Sequence, residues 1–459
     1  MRNKGLKRDG WWFVGGYLLW LGYLLNSGYE VIYGDAGTYW ELAYRFFHGH
    51  AFSLLAYNDR MRGYAYPLLN VPGAVLAAVL PCAPATAAKV LGAGYAALAF
   101  TVVGPRLWQA LTGMLKRPSW PQTVVFGVLG FGFWRDYFNF PLSDFPALLA
   151  LAAGLLALYR LPGWRGHLLA GVGLALAVNI RPIYLASVPF FMVLVLVLPT
   201  PLKAGHWRYR GLGLVLGLGL TLLPQALINY RHFRTPTPFV LAESPKYGTR
   251  NLYLEKLIWG LHHQKYETAV EANGAVGQLL FLDPAGLALI EREHLSLHST
   301  YRAYARALLH HPADFAGLYA RRLFNGLDVQ YPTPYVRKAA ASTIGLALIN
   351  YTIWFLVLLY VTTGACGVVR RDQWVVLAVW LAPVVAVLPM SMECRFVLPL
   401  HLLAYALLAF GWPAAWRLSL LSFNTRLRLG IAYLGFVLLC LALSSATQAN
   451  LESAPRLLT

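Results

Sequence analysis

Asp35, Asp144 and four arginines, Arg60, Arg62, Arg181 and Arg395, are the side chains whose types and placement could do chemistry. Arginine's planar fork suits a phosphate, including one held at the depth of lipid headgroups. Asp35 lies in "VIYGDAGTYWELAYRFFHGH" (31–50), directly after an apolar segment, and Asp144 in "LSDFP" opens another. Two acids at the mouths of two helices could converge on one cavity. Each feature also has a plainer reading. Aspartate is a favoured N-cap, so Asp35 and Asp144 could each cap the helix they precede. Arg60 and Arg62 in "NDRMRGYAYPLL" could touch anionic lipid without selectivity. "AVNIRPIYLA" breaks an apolar run with Asn179, Arg181 and Pro182. An arginine so near the apolar zone finds a partner or a water-filled cavity, or snorkels to the interface. Glu393 and Arg395 in "PMSMECRFVLPL" could pair, or Arg395 could serve an anionic ligand.

The elements that position these groups are membrane helices. The chain is 58% hydrophobic and 12% charged over 459 residues, a balance that excludes a soluble globular domain. Spanning candidates lie near 11–32, 86–112, 120–135, 143–160, 167–181, 183–200, 209–229, 341–364, 373–390, 395–415 and 429–448. This predicts an all-α polytopic membrane protein of about eleven transmembrane helices. The basic N-terminus precedes an apolar segment too long for a cleaved signal peptide, which reads as a retained anchor. The stretch 64–82 holds three prolines and is expected to be interfacial or re-entrant. On that reading "MLKRPSW", "YRLPGWRGH", "PLKAGHWRYR", "VVRRDQW" and "WRLSLLSFNTRLRLG" all share the side of the basic N-terminus, as the positive-inside rule asks. The N-terminus is then cytoplasmic and the C-terminus outside. The net charge of +19 is explained by topology, and no basic globular domain offers a nucleic-acid surface. Asp9 and Asp372 are the only acids on the cytoplasmic side. Four cysteines without paired spacing suggest neither a disulfide framework nor a zinc knuckle.

Three regions follow: an N-terminal membrane module at 1–229 with outer loops 33–83 and 135–144, a large outer region at 230–340, and C-terminal membrane helices at 341–459. In the first loop, "AGTYWELAYRFF" predicts an amphipathic helix over 36–47, with Tyr39, Leu42, Ala43 and Phe46 on one face and its aromatics at the membrane interface. The 230–340 region reads as mostly helical, with a break at His311-Pro312. Glu291, His294 and His298 have a spacing that could hold zinc, though a solvated helix face is the default for such residues. No P-loop, dinucleotide fingerprint or nucleophile elbow appears.

In this order the motifs resemble the membrane-embedded GT-C glycosyltransferases, in the bacterial branch related to dolichyl-phosphate-mannose protein mannosyltransferases and the lipid A aminoarabinose transferase. "GDAGTYWELAYRFFHGHAFS" is similar to the family's first-loop pattern, and "RGYAYPLL" to its continuation. "NFPLSDFPALLALAAGLLAL" resembles the second-loop acid leading into a helix, and "NIRPIYLASVPF" the Arg-Pro break. "LINYRHFRTPTPF", "LLHHPADFAGLYARRLFNGLD" and "MECRFVLPLHLLAYALLAF" resemble later segments. The resemblance implies transfer of a sugar from a polyprenyl-phosphate carrier to a lipid, glycan or protein acceptor on the outer face of the inner membrane. Asp35 would be general base or acceptor-orienting carboxylate, and Asp144 would help position the acceptor. Arg60 or Arg62, with Arg395 and Arg181, would bind the lipid phosphate. The family's first loop often has a second acid next to the first, whereas Gly34-Asp35-Ala36 has none. No metal is therefore assigned and no cofactor required, although the pattern leaves room for a divalent ion. A flippase or transporter of a lipid-linked sugar is the main alternative, and a non-catalytic envelope scaffold a third.

Overall fold

A computed structural model describes residues 2–48, 51–198, 207–244, 248–249, 251–270, 274–297, 299–337, 343–363, 369–411, 422–452 and 456–457. The connector stretches 199–206 and 412–421 therefore lie outside the described residues. The protein is a helical membrane protein. Among the described residues five helices are long and apolar enough to cross a bilayer: Pro84–Thr112, Tyr209–Phe233, Ile344–Thr362, Cys394–Gly411 and Phe423–Gln448. In the last of these Ile431, Leu434 and Leu438 stay exposed, as a lipid-facing surface requires.

The expectation of about eleven is therefore not met among the described residues, where five helices have that length and apolarity. Hydropathy counts apolar residues, but several apolar runs fold into shorter pieces. Trp120–Trp134 has 15 residues, Asp144–Arg160 has 17, and 183–200 becomes a 3-10 turn followed by the ten-residue helix Val188–Val197. At about 1.5 Å rise per residue the 10- and 15-residue helices reach roughly 15 and 23 Å, below the ~17 residues that a crossing needs.

Two compact units divide the chain, Met1–Arg250 with Arg370–Pro383, and Asn251–Val369 with Val384–Thr459. The first is a bundle with chemically distinct ends. At one end Asp9 is ion-paired with Arg106 and Arg117. At this end too Asp372 accepts from Arg370 (3.0 Å) and from the Tyr159 hydroxyl (2.9 Å), and Arg370 also donates to Leu111 O. The two acids placed among the basic connectors are thus neutralised by those connectors. Asp144 begins the helix that Tyr159 nearly ends, so the Asp144 site occupies the opposite end.

The Pro84–Thr112 helix joins the two ends. Gly92 packs against Phe138 O on the Asp144 side, where a Cβ would come within 1.9 Å, and Arg106 reaches Asp9 on the other. The helix Ala65–Val79 starts beside Asn179, at the Asp144 end, and a short turn then leads into Pro84. It therefore leaves and returns at one end of the bundle, in line with an interfacial 64–82 segment. The first-loop helix forms as Gly34–Tyr44, and Tyr39, Leu42, Ala43 and Phe46 are all buried. Trp40, expected at the headgroup level, is instead buried against Ala74 and Ala87. The polar face left outside carries Asp35, Thr38, Glu41 and Arg45.

In the second unit the expected helices form, with Tyr301–His310 and Pro312–Leu327 separated at His311, where Pro312 cannot continue the preceding helix. Their apolar faces enclose Leu257, Ile258, Leu289, Phe315 and Leu318. The region also contains an antiparallel hairpin that hydropathy did not reveal, His263–Val270 with Val276–Leu282, pairing Tyr266 with Leu280 and Thr268 with Gln278. Tyr335–Val336 adds to one edge and Arg456–Leu457 to the other.

Candidate functional site

Asp35 stands in the first turn of the Gly34–Tyr44 helix, and the cap position is Tyr33, which makes no side-chain cap bond. The expected capping role of Asp35 is therefore corrected. A first-turn acid is favoured by the exposed N–H groups and the dipole there. Its carboxylate is half exposed, at 49%, and accepts a hydrogen bond from the Arg62 guanidinium at 2.8 Å. Arg62 is 26% exposed and lies over the Tyr39 ring, 5.1 Å from its centroid. Tyr39 is one turn along the same helix as Asp35, so a single helix face supplies the acid and the platform under its partner. Burial works against the Arg62 cation, but Tyr39, Asp35 and Asp59 outweigh it and hold its pKa above the ordinary value.

The main chain that carries Arg62 is fixed from several sides. Asp59 accepts from the backbone N–H groups of Met61 (2.9 Å) and Arg62 (2.7 Å), an Asx-type turn. The buried Tyr57 hydroxyl donates to Arg62 O at 2.9 Å, and burial pushes its phenol well up. Gly63 then passes beneath Asn179, so close that a Cβ would lie 2.1 Å from Asn179 O. Asn179 Oδ1 accepts from Ala65 N–H (2.9 Å) and its Nδ2 donates to Gln225 Oε1 (2.9 Å). Gln225 donates to Asn229 (2.9 Å), which donates to Thr237 O and Phe239 O. A buried carboxamide relay thus ties the Arg62 turn to two helices, with the partners such groups need away from water.

Asp144 is the first residue of its helix, after Ser143 at the cap position, with Pro146 in the first turn. It is 3% exposed and ion-paired with Arg181, which is 20% exposed. It also accepts from the Tyr137 hydroxyl at 2.5 Å. Tyr39 links this pair to the first, since its hydroxyl donates to Ser143 Oγ at 3.2 Å. The two outer-loop acids are therefore brought together, but in different states: Asp35 is open and Asp144 enclosed.

The other arginines go elsewhere. Arg60 pairs with Glu243 at 3.2 Å and lies 4.7 Å over the Phe233 ring. Arg395 belongs to the second unit and pairs with Glu393 at 2.8 Å. Glu291 and His294 do not share a helix face, because the helix ends at Glu293 with His294 in the left-handed region at φ 50. His298 lies outside the described residues. Among the described residues no three His, Cys, Asp or Glu side chains come together to hold a metal.

Sequence reasoning missed Tyr137, Ser143 and Glu243 as partners, and took Tyr39 for an apolar contact only. A signal existed for Tyr39, four residues beyond Asp35 on a predicted helix. Nothing in the spacing identified Glu243. The chain matches no family model, no curated protein and no solved structure.

Proposed function

We propose that the protein is an integral-membrane glycosyltransferase of the GT-C type, moving a sugar from a polyprenyl-phosphate carrier to an acceptor hydroxyl on the extracytoplasmic face of the inner membrane. The observation that carries the reading is the Asp35–Arg62 contact, a half-exposed carboxylate held 2.8 Å from a guanidinium at one end of the first unit. The reaction needs a carboxylate and a cation that can both reach the one reacting sugar carbon. As the acceptor oxygen bonds to the anomeric carbon, its proton passes to a carboxylate, the role given to Asp35. The bond from that carbon to the carrier phosphate breaks with its electron pair, and the leaving phosphate gains negative charge. Arg62 stabilises that charge with donors its single bond to Asp35 leaves over, because a guanidinium has five. Asp144 is too enclosed for proton transfer in this arrangement and serves to position the Ser143–Tyr39 wall. The orientation is supported by the opposite end of the unit, where Asp9, Arg106, Arg117 and Arg370 gather. Basic ends face the cytoplasm by the positive-inside rule.

The test supplies the purified, nanodisc-reconstituted chain with a panel of polyprenyl-phosphate sugars and membrane-derived acceptors, and follows sugar transfer. Wild type is expected to use at least one donor, and Asp35→Asn to lose about 10²–10⁴-fold in rate. Absence of transfer from every donor would overturn the reading. Full turnover by the isosteric amide would remove Asp35 from the chemistry.

A further inference from the structure

In the second unit a cavity of about 430 Å³ opens between the start of the Pro284–Glu293 helix, the Pro312–Leu327 helix and the last turns of Phe423–Gln448. Its size falls in the range of small-molecule sites. Gln264, Asp283, Arg321, Asn325, Thr447 and Asn450 supply its polar wall. Nearly all of that polarity is consumed internally. Asn325 donates to Gln264 (3.2 Å) and accepts from Thr447 (2.9 Å), and Asn450 donates to Ala446 O (3.0 Å).

Asp283 is the exception. It is 1% exposed, and its Oδ1 caps the Pro284–Glu293 helix through Gly286 N–H (3.2 Å) while pairing with Arg321 (2.9 Å). Its other oxygen, Oδ2, is buried and has no hydrogen-bond partner among the described residues. A buried carboxylate oxygen without a donor is costly, and native proteins leave few of them. Asp283 lines a cavity large enough to bring a ligand donor up to its carboxylate.

We infer that the cavity is a second binding site, for a neutral polyhydroxylated molecule such as a free or glycan-borne sugar ring, with a ligand hydroxyl donating to Asp283 Oδ2. Charge selects the class. Asp283 is already balanced by Arg321, so an ammonium or a carboxylate would enter without a counter-charge. A hydroxyl meets the acceptor and adds none. The apolar part of the wall, Phe324 and Leu443, suits the less polar face of a ring. The inference stands apart from the glycosyl-transfer reading, because it concerns binding in the second unit and its test reads binding alone.

Free glucose, galactose, glucosamine and glucuronate are titrated into the full chain in nanodiscs and followed by saturation-transfer NMR. A neutral hexose is expected to bind saturably, at about millimolar affinity, more tightly than the charged sugars. Asp283→Asn keeps an oxygen for the cap but removes the charged acceptor, and should weaken binding about tenfold or more. Ala320→Phe leaves the cap and the Arg321 pair intact, fills the cavity wall, and should block the same binding with unchanged thermal melting. Asp35→Asn should bind the hexose as wild type does. The inference is overturned if no neutral hexose saturates, or if glucosamine or glucuronate alone binds. Binding that survives Ala320→Phe, or that is lost in Asp35→Asn, also overturns it.

Discussion

Two acid–arginine pairs stand close together in the first unit, and their surroundings give them opposite uses. Asp144–Arg181 is buried on the acid side and completed by the Tyr137 hydroxyl. Asp35–Arg62 has the same ions in contact, but half of the carboxylate faces outward. A buried pair is weak evidence for net stability, yet removing one partner strands the other without water. An exposed pair adds little to stability, and its groups remain available to a substrate. The same chemistry therefore reads as architecture at one position and as a site at the other.

The largest break in this comparison is Asp144→Ala. It leaves Arg181 uncompensated beside an apolar helix and is expected to destabilise the folded protein by about 3–5 kcal/mol, measured by denaturant unfolding in detergent. Asp144→Asn should cost less, since Tyr137 can still donate to the amide oxygen. If Asp144→Ala loses less than about 1 kcal/mol, the pair is as open as Asp35–Arg62 and the contrast fails. Asp35→Asn should show the converse. Its unfolding midpoint should move by an amount worth less than about 1 kcal/mol, while transfer falls about 10²–10⁴-fold. A variant that unfolds as readily as Asp144→Ala would recast Asp35 as structural.

Gly63→Ala probes how Arg62 is held. The new methyl would meet Asn179 O at 2.1 Å, against main chain that cannot swing aside, so the turn must shift. The expected loss is about 1–3 kcal/mol of stability, the usual range for overpacking. A lower transfer rate should accompany it, because Arg62 precedes the displaced residue. Retained activity with lost stability would mean that the Arg62 position is not set by the carboxamide relay.

These contrasts were partly legible in the residues. Periodicity found the helix at Gly34–Tyr44 and its buried Tyr39, Leu42, Ala43 and Phe46, because residues at i, i+3, i+4 and i+7 fall on one helix face. It also placed the break at His311-Pro312, where proline removes a donor. The number of crossing helices was not legible, since hydropathy cannot separate a 15-residue packed helix such as Trp120–Trp134 from a longer spanning one. The hairpin at 263–282 carries one turn signal in the sequence, Asn273-Gly274, and Gly274 adopts φ +84. Which arginine meets which acid was out of reach. Asp144 opens one helix and Arg181 follows the end of another, so their contact depends on how those helices pack. The same holds for Arg60, whose partner Glu243 is 183 residues away.

Tyr39→Phe makes the finest cut, because Tyr39 touches both pairs. Its ring lies under Arg62 and its hydroxyl donates to Ser143, the residue before Asp144. Phenylalanine keeps a ring for the Arg62 cation and removes only the hydroxyl. A neutral hydrogen bond of this kind is worth about 0.5–1.5 kcal/mol, and the long 3.2 Å contact points to the lower end. If the hydroxyl merely satisfies Ser143, stability should fall by that amount and transfer stay near wild type. If it couples the open pair to the enclosed one, the double variant Tyr39→Phe with Asp144→Asn should show less than the sum of the two single losses. Independent sites would give additivity within about 0.3–0.5 kcal/mol. An additive result would separate the pairs into two neighbouring devices, with Asp144–Arg181 holding the bundle end and Asp35–Arg62 acting without it.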